Sequence, residues 1–61
     1  MADTVLKWWY SSGVYYDFHS HDSAQMGQMY RLKVLEHNIQ RVELWMGDIL
    51  VIKWEKKDDD V

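Results

Sequence analysis

The side chains with the clearest coordinating chemistry are Asp17, His19 and His21. They alternate, so an extended backbone sets all three on one face. Imidazole with carboxylate is a ligand set for zinc or nickel, and His37 supplies another imidazole elsewhere in the chain. Against this stands a simpler reading. His-x-His at the end of a strand is commonplace, and the hairpin derived below gives Asp17 to Lys7. The expectation is a chain with no metal and no other cofactor, in which Asp17, His19 and His21 are the only metal candidates.

Catalytic constellations are scarcer still. Serine, histidine and aspartate are present, but no nucleophile elbow and no glycine-rich phosphate loop accompanies them. Glu43 and Glu55 each meet a basic neighbour in the registers below, so they do not form a poised acid–base pair. A chain of 61 residues also leaves little room for a water-excluding pocket. The expectation is a protein that is not an enzyme.

Recognition chemistry is better represented. Trp9, Tyr15 and Trp45 fall where strand alternation calls for polar residues, with Leu35 and Val51 on the face of Trp45 and with Arg31 and Arg41 nearby. Tryptophan, tyrosine and arginine dominate interface hot spots, and an exposed apolar patch marks a contact surface. The expected partner site is Trp9, Tyr15, Arg31, Arg41, Trp45 and Val51. The competing structural reading is that the sheet curls over part of this face or closes a homodimer with it.

Three alternating segments must position these residues: Tyr30–Glu36, Gln40–Met46 and Leu50–Lys56. Period-two alternation is the mark of a strand with one buried face. Pairing Met46 with Leu50 across Gly47-Asp48-Ile49 sets Leu44 against Ile52 and Val42 against Trp54. The other face then pairs Trp45 with Val51, Glu43 with Lys53 and Arg41 with Glu55. A two-residue Gly47-Asp48 turn would place Val42 against Lys53 and Glu43 against Ile52, so it is rejected and the three-residue loop is expected. Pairing Glu36 with Gln40 sets Val34 against Val42, Leu32 against Leu44 and Tyr30 against Met46, with Lys33 opposite Glu43 and Arg31 beside Trp45. Glu43 thus gains a lysine on each side.

Thr4–Tyr10 and Val14–His19 read as a further hairpin across Ser11-Ser12-Gly13, where glycine suits the positive-φ position of a three-residue turn. Closing Tyr10 on Val14 aligns Trp8 with Tyr16, Leu6 with Phe18, Trp9 with Tyr15, Lys7 with Asp17 and Val5 with His19. Between the two units, Ser20, Asp22 and Ser23 are candidate helix caps. One helical turn at Ala24–Met26, ended by Gly27, is expected at most.

The fold expected is all-β: five antiparallel strands near 4–10, 14–19, 30–36, 40–46 and 50–56. With no helix to cover the apolar face, the sheet should curl into a small SH3-like or OB-like barrel or pack as a dimer. Residues 1–57 should form this single domain, and 58–61 a disordered acidic tail that keeps an edge strand soluble.

Composition bounds the function. No cysteine is present, so no disulfide or thiolate zinc site staples the chain, and four tryptophans, four tyrosines and a phenylalanine must supply much of the core. The net charge of −3 argues against a general duplex-DNA binder. The longest apolar run is Ile49–Ile52, and no basic n-region opens the chain. A signal peptide and a membrane span are therefore not expected, and a cytoplasmic setting is.

Two function classes follow. One is a stand-alone module that binds a larger protein, as a regulator or inhibitor. Phage-encoded anti-host proteins, anti-CRISPR proteins among them, are alike in size and character, which is analogy alone. The other is single-stranded nucleic-acid binding, with bases stacked on Trp9, Tyr15 or Trp45 and phosphates held by Arg31, Lys33 and Arg41. The protein partner is preferred over nucleic acid because the chain is acidic.

Overall fold

The computed structural model describes residues 3–57. The expected tail at 58–61 lies outside them. Four strands and one helix follow in the order β1 (Thr4–Tyr10), β2 (Tyr15–Ser20), α1 (Ser23–Val34), β3 (Ile39–Met46) and β4 (Ile49–Glu55). They form an open antiparallel sheet in the order β2-β1-β3-β4, so β2 and β4 are its edges.

The first hairpin has the expected register. Leu6 lies opposite Phe18, Lys7 opposite Asp17, Trp8 opposite Tyr16 and Trp9 opposite Tyr15. Its turn is closed by hydrogen bonds from the Tyr10 amide to the Val14 carbonyl and from the Gly13 amide to the Tyr10 carbonyl. Gly13 has φ +96°, the left-handed conformation that selects glycine.

Among the described residues the fifth strand is absent, and the barrel with it. The segment 30–36 does not pair with β3. Instead its first five residues are the last part of α1, and β1 occupies the place beside β3, with Leu6 opposite Leu44 and Lys7 opposite Glu43. The expected pairings of Tyr30, Leu32, Lys33 and Val34 with β3 are therefore wrong, as is Arg31 beside Trp45. So is the expectation that no helix is long enough to cover the apolar face. The physical reason is that Tyr30-Arg-Leu-Lys-Val alternates in polarity but also continues a helical stripe. Met26 is fully buried, and Met29, Tyr30 and Val34 pack against the core with it. These positions are spaced three and four apart once Met29 and Tyr30 are taken as one step. As a strand, Leu32 would share the buried face of Tyr30 and Val34, yet it is 63% exposed.

Local chemistry supports the longer helix at both ends. Asp22 is the N-cap, its carboxylate accepting from the Gln25 amide at 3.1 Å. Arg31 and Lys33 sit in the last turn, where the helix dipole favours cations. Gly27 lies inside the helix rather than ending it, and the chain passes through this poor helix former because packing outweighs propensity.

The turn between β3 and β4 is a second correction. Met46 pairs with Ile49 and Trp45 with Leu50 across a two-residue Gly47-Asp48 turn. Gly47 has φ +62° and no non-glycine residue among the described ones has positive φ, the pattern of a type II′ hairpin turn. A bulge then takes up Val51, and the ladder continues with Leu44–Ile52, Glu43–Lys53, Val42–Trp54 and Arg41–Glu55, all as expected. The short turn and the apolar pattern are compatible because one bulged residue resets the register.

The core is Leu6, Trp8, Met26, Ile39 and Val42, between α1 and the central strands. The helix packs mainly on β1 and β3. Inward-facing residues of the edge strands are left uncovered, among them Tyr16 and Phe18 on β2 and Ile49 and Ile52 on β4.

Candidate functional site

The face of the sheet opposite α1 carries the aromatic and charged residues with the most organised geometry. On β1 these are Lys7 and Trp9, on β2 Tyr15, Asp17 and His19, on β3 Arg41, Glu43 and Trp45, and on β4 Lys53 and Glu55. Every one reaches this face because it alternates with a core-facing neighbour.

Glu43 is the hub. It is only 6% exposed although it lies on the solvent side of the sheet. The Trp45 indole N–H donates to it at 2.8 Å, and Arg41 forms an ion pair with it. Lys7 and Lys53 lie directly opposite it on β1 and β4. It therefore has a lysine on each side, as the sequence suggests, but Lys7 takes the place expected for Lys33. A covered carboxylate is tolerated here because cations and a donor surround it.

The rings are held by those cations. The Lys7 ammonium sits 5.0 Å from the Trp45 ring centroid, and the Arg41 guanidinium 5.2 Å from that of Trp9. Trp9 in turn lies against Tyr15, their centroids 4.9 Å apart with the planes tilted by 37°. The Tyr15 hydroxyl donates to Asp17 at 3.2 Å. Burial, then the Asp17 carboxylate, raises the Tyr15 pKa above the ordinary tyrosine value.

Of the six expected partner residues, the fold brings Trp9, Tyr15, Arg41 and Trp45 onto this face. Arg31 is not among them, since it is on α1 across the sheet. Leu35, expected beside Trp45, is the helix C-cap. Val51 is the bulged residue of edge strand β4, and Trp45 pairs with Leu50 instead. Lys7 and Glu43 were missing from the expected site. Their signal was the same-face run Arg41-x-Glu43-x-Trp45, whose centre needs a covering cation whichever strand lies alongside.

The metal candidates separate. His19 lies 3.7 Å from Asp17, while His21 turns to Asp3 at 3.2 Å. Among the described residues, no three histidine, cysteine, aspartate or glutamate side chains form a group fit to hold a metal ion. His37 contributes its backbone carbonyl to Lys56 at 3.4 Å. No pocket opens among the described residues. Nor is any helix among them long and apolar enough to cross a membrane.

Comparison with protein-family models, with curated proteins and with solved structures finds no match for this chain.

Proposed function

We propose that this chain is a non-catalytic protein-binding module that engages a larger protein through the helix-free face of its sheet, as a cytoplasmic regulator or inhibitor. The observation that supports this reading is the preorganised set Trp9, Tyr15, Arg41 and Trp45. Each ring is already held by a cation or another ring, so little side-chain entropy is left to lose on docking. Rigid aromatic area beside arginine is the composition of an interface hot spot. A face with no pocket among the described residues suits a protein better than a small molecule.

Single-stranded nucleic acid is the weaker reading. Two of the three cations expected to hold phosphates, Arg31 and Lys33, are on α1 across the sheet from Trp9 and Trp45. Arg41, which remains, is engaged by Glu43 and Glu55.

The test is affinity capture from the native host's lysate, with and without nuclease. The wild-type chain should retain a protein after nuclease treatment. Trp45→Ala should weaken that association by about 2 kcal/mol or more, the scale of a hot-spot truncation. It should leave melting little changed, because Trp45 lies outside the core cluster. Leu35→Ala, on the far side and 77% exposed, should retain the partner fully. Capture that survives Trp45→Ala together with Trp9→Ala, or that disappears with nuclease, removes this reading.

A further inference from the structure

The two edges of the sheet match each other better than either matches itself. We propose that a second copy of this chain docks by sheet extension, the β4 edge of one copy pairing antiparallel with the β2 edge of the next, Asp17 opposite Lys53. This goes beyond the partner face, because it uses the edges.

The backbone sets the parity. The Tyr10 amide donates to the Val14 carbonyl, so in the first hairpin Trp8–Tyr16 and Leu6–Phe18 are the pairs that exchange hydrogen bonds. The amide and carbonyl groups of Tyr15 and Asp17 therefore point outward from β2. The Lys56 amide donates to the Gln40 carbonyl, which makes Val42–Trp54 and Leu44–Ile52 the bonded pairs of the second hairpin. Lys53 and Glu55 thus present their amides and carbonyls outward from β4. Placing Asp17 opposite Lys53 sets Tyr15 opposite Glu55, so outward-pointing residues meet outward-pointing residues in both bonded pairs.

The same register satisfies both faces. On the helix-free face, Asp17 meets Lys53, and the Tyr15 hydroxyl comes beside the Glu55 carboxylate. Lys53 makes no ion pair among the described residues. On the helix side, Tyr16 meets Trp54 and Phe18 meets Ile52. Tyr16, Phe18 and Ile52 are 52%, 38% and 43% exposed in the single chain, and this contact covers them. The bulge at Val51 ends the contact, leaving four residues of each strand paired.

Self-pairing of either edge is poorer. A two-fold axis through Lys53 sets two lysines face to face. Moved to Trp54, it pairs Lys53 with Glu55 but sets Ile52 against Lys56 and leaves Tyr16 and Phe18 of β2 bare. A β2 pair centred on Phe18 matches Asp17 with His19 but leaves the apolar residues of β4 bare. Because β2 and β4 run antiparallel within the sheet, each added copy keeps the orientation of the last. The contact is heterologous and grows into a ring or a short filament.

Sedimentation with the whole chain tests this. The weight-average mass of the wild type should rise with concentration. Asp17→Lys alone and Lys53→Asp alone should each weaken self-association roughly tenfold, since each puts like charges opposite one another. An equimolar mixture of the two variants should regain it, because each edge then meets its opposite charge. A zero-length carbodiimide cross-link in the wild type should join Asp17 to Lys53. Within one sheet those residues are three strand spacings apart, about 14 Å, so that link must be between copies, and it does not depend on any variant folding. A wild-type mass that stays monomeric at every soluble concentration overturns the proposal. So does loss in Lys53→Asp with no change in Asp17→Lys, which would place two β4 edges together. Trp45→Ala, away from both edges, should leave self-association intact, so failure of the partner-face reading is separable from failure of this one.

Discussion

Glu43 shows how one side chain organises a surface on a protein with a small core. It is covered by Arg41 and Trp45 and flanked by lysines, so it fixes ring positions without a pocket. Tyr15 at the rim reports on the same face. Its phenol is raised above the ordinary tyrosine value, first by burial and then by the Asp17 carboxylate. A raised folded pKa means that the native chain holds this proton more tightly than the unfolded chain. That contribution to stability is fully present below the ordinary tyrosine value and is lost as pH rises through the raised folded value. Ring-labelled tyrosine NMR should therefore show Tyr15 titrating above the ordinary value. Asp17→Asn should lower its pKa only in part, because burial, the largest single cause, remains. A Tyr15 that titrates normally in the wild type would show that the Tyr15–Asp17 contact is not maintained in solution. At this scale the sequence was informative: Trp9, Tyr15, Arg41 and Trp45 share a face because alternation dictates it. Arg31 was misplaced because its own segment was read with the wrong period.

At the scale of elements, legibility depended on whether a strand stayed regular. The β1–β2 register could be read from the sequence, since Gly13 marks its turn and every pair but Val5–His19 agrees in polarity. The outer half of β3–β4 could be read for the same reason. Its turn could not, because parity reasoning assumes an unbroken ladder and Val51 breaks it. Helix α1 was hidden because a five-residue stretch can satisfy periods of 2 and 3.6 together. Only Met26 and Met29, further back, favour the longer period. The bulge yields a direct expectation. Deleting Val51 joins the two-residue turn to the ladder without an extra residue, so Leu44–Ile52, Glu43–Lys53 and Val42–Trp54 should all persist. Cross-strand NMR contacts between Val42 and Trp54 should survive the deletion. Their loss, with Val42 shifting onto Glu55, would mean that β4 bulges here with or without Val51.

At the scale of the whole molecule, one helix held by few residues keeps the sheet from being bare on both sides. A chain of 61 residues has on the order of 3–9 kcal/mol of stability to lose. Met26 is the only fully buried residue that α1 contributes to the core, where it joins Leu6, Trp8, Ile39 and Val42. Met26→Ala should cost ~2–5 kcal/mol by leaving a cavity there, a large share of the total. Its neighbour Gly27 should respond in the opposite direction. A Cβ built at Gly27 meets nothing within 4 Å, and the backbone there is helical. Gly27→Ala should therefore stabilise by about 1 kcal/mol, through helix propensity and a less flexible unfolded chain. Denaturant melts followed by far-UV circular dichroism and by tryptophan fluorescence measure both variants. Trp8 lies between core and helix, with the Lys33 ammonium 4.6 Å from its ring centroid, so its emission reports on α1 docking. The two signals should shift together, down for Met26→Ala and up for Gly27→Ala. If Met26→Ala lost helical signal while the sheet kept its transition, α1 would be an independent flap. The apolar face would then be open for a partner to cover, and the helix rather than the sheet would be where binding is controlled.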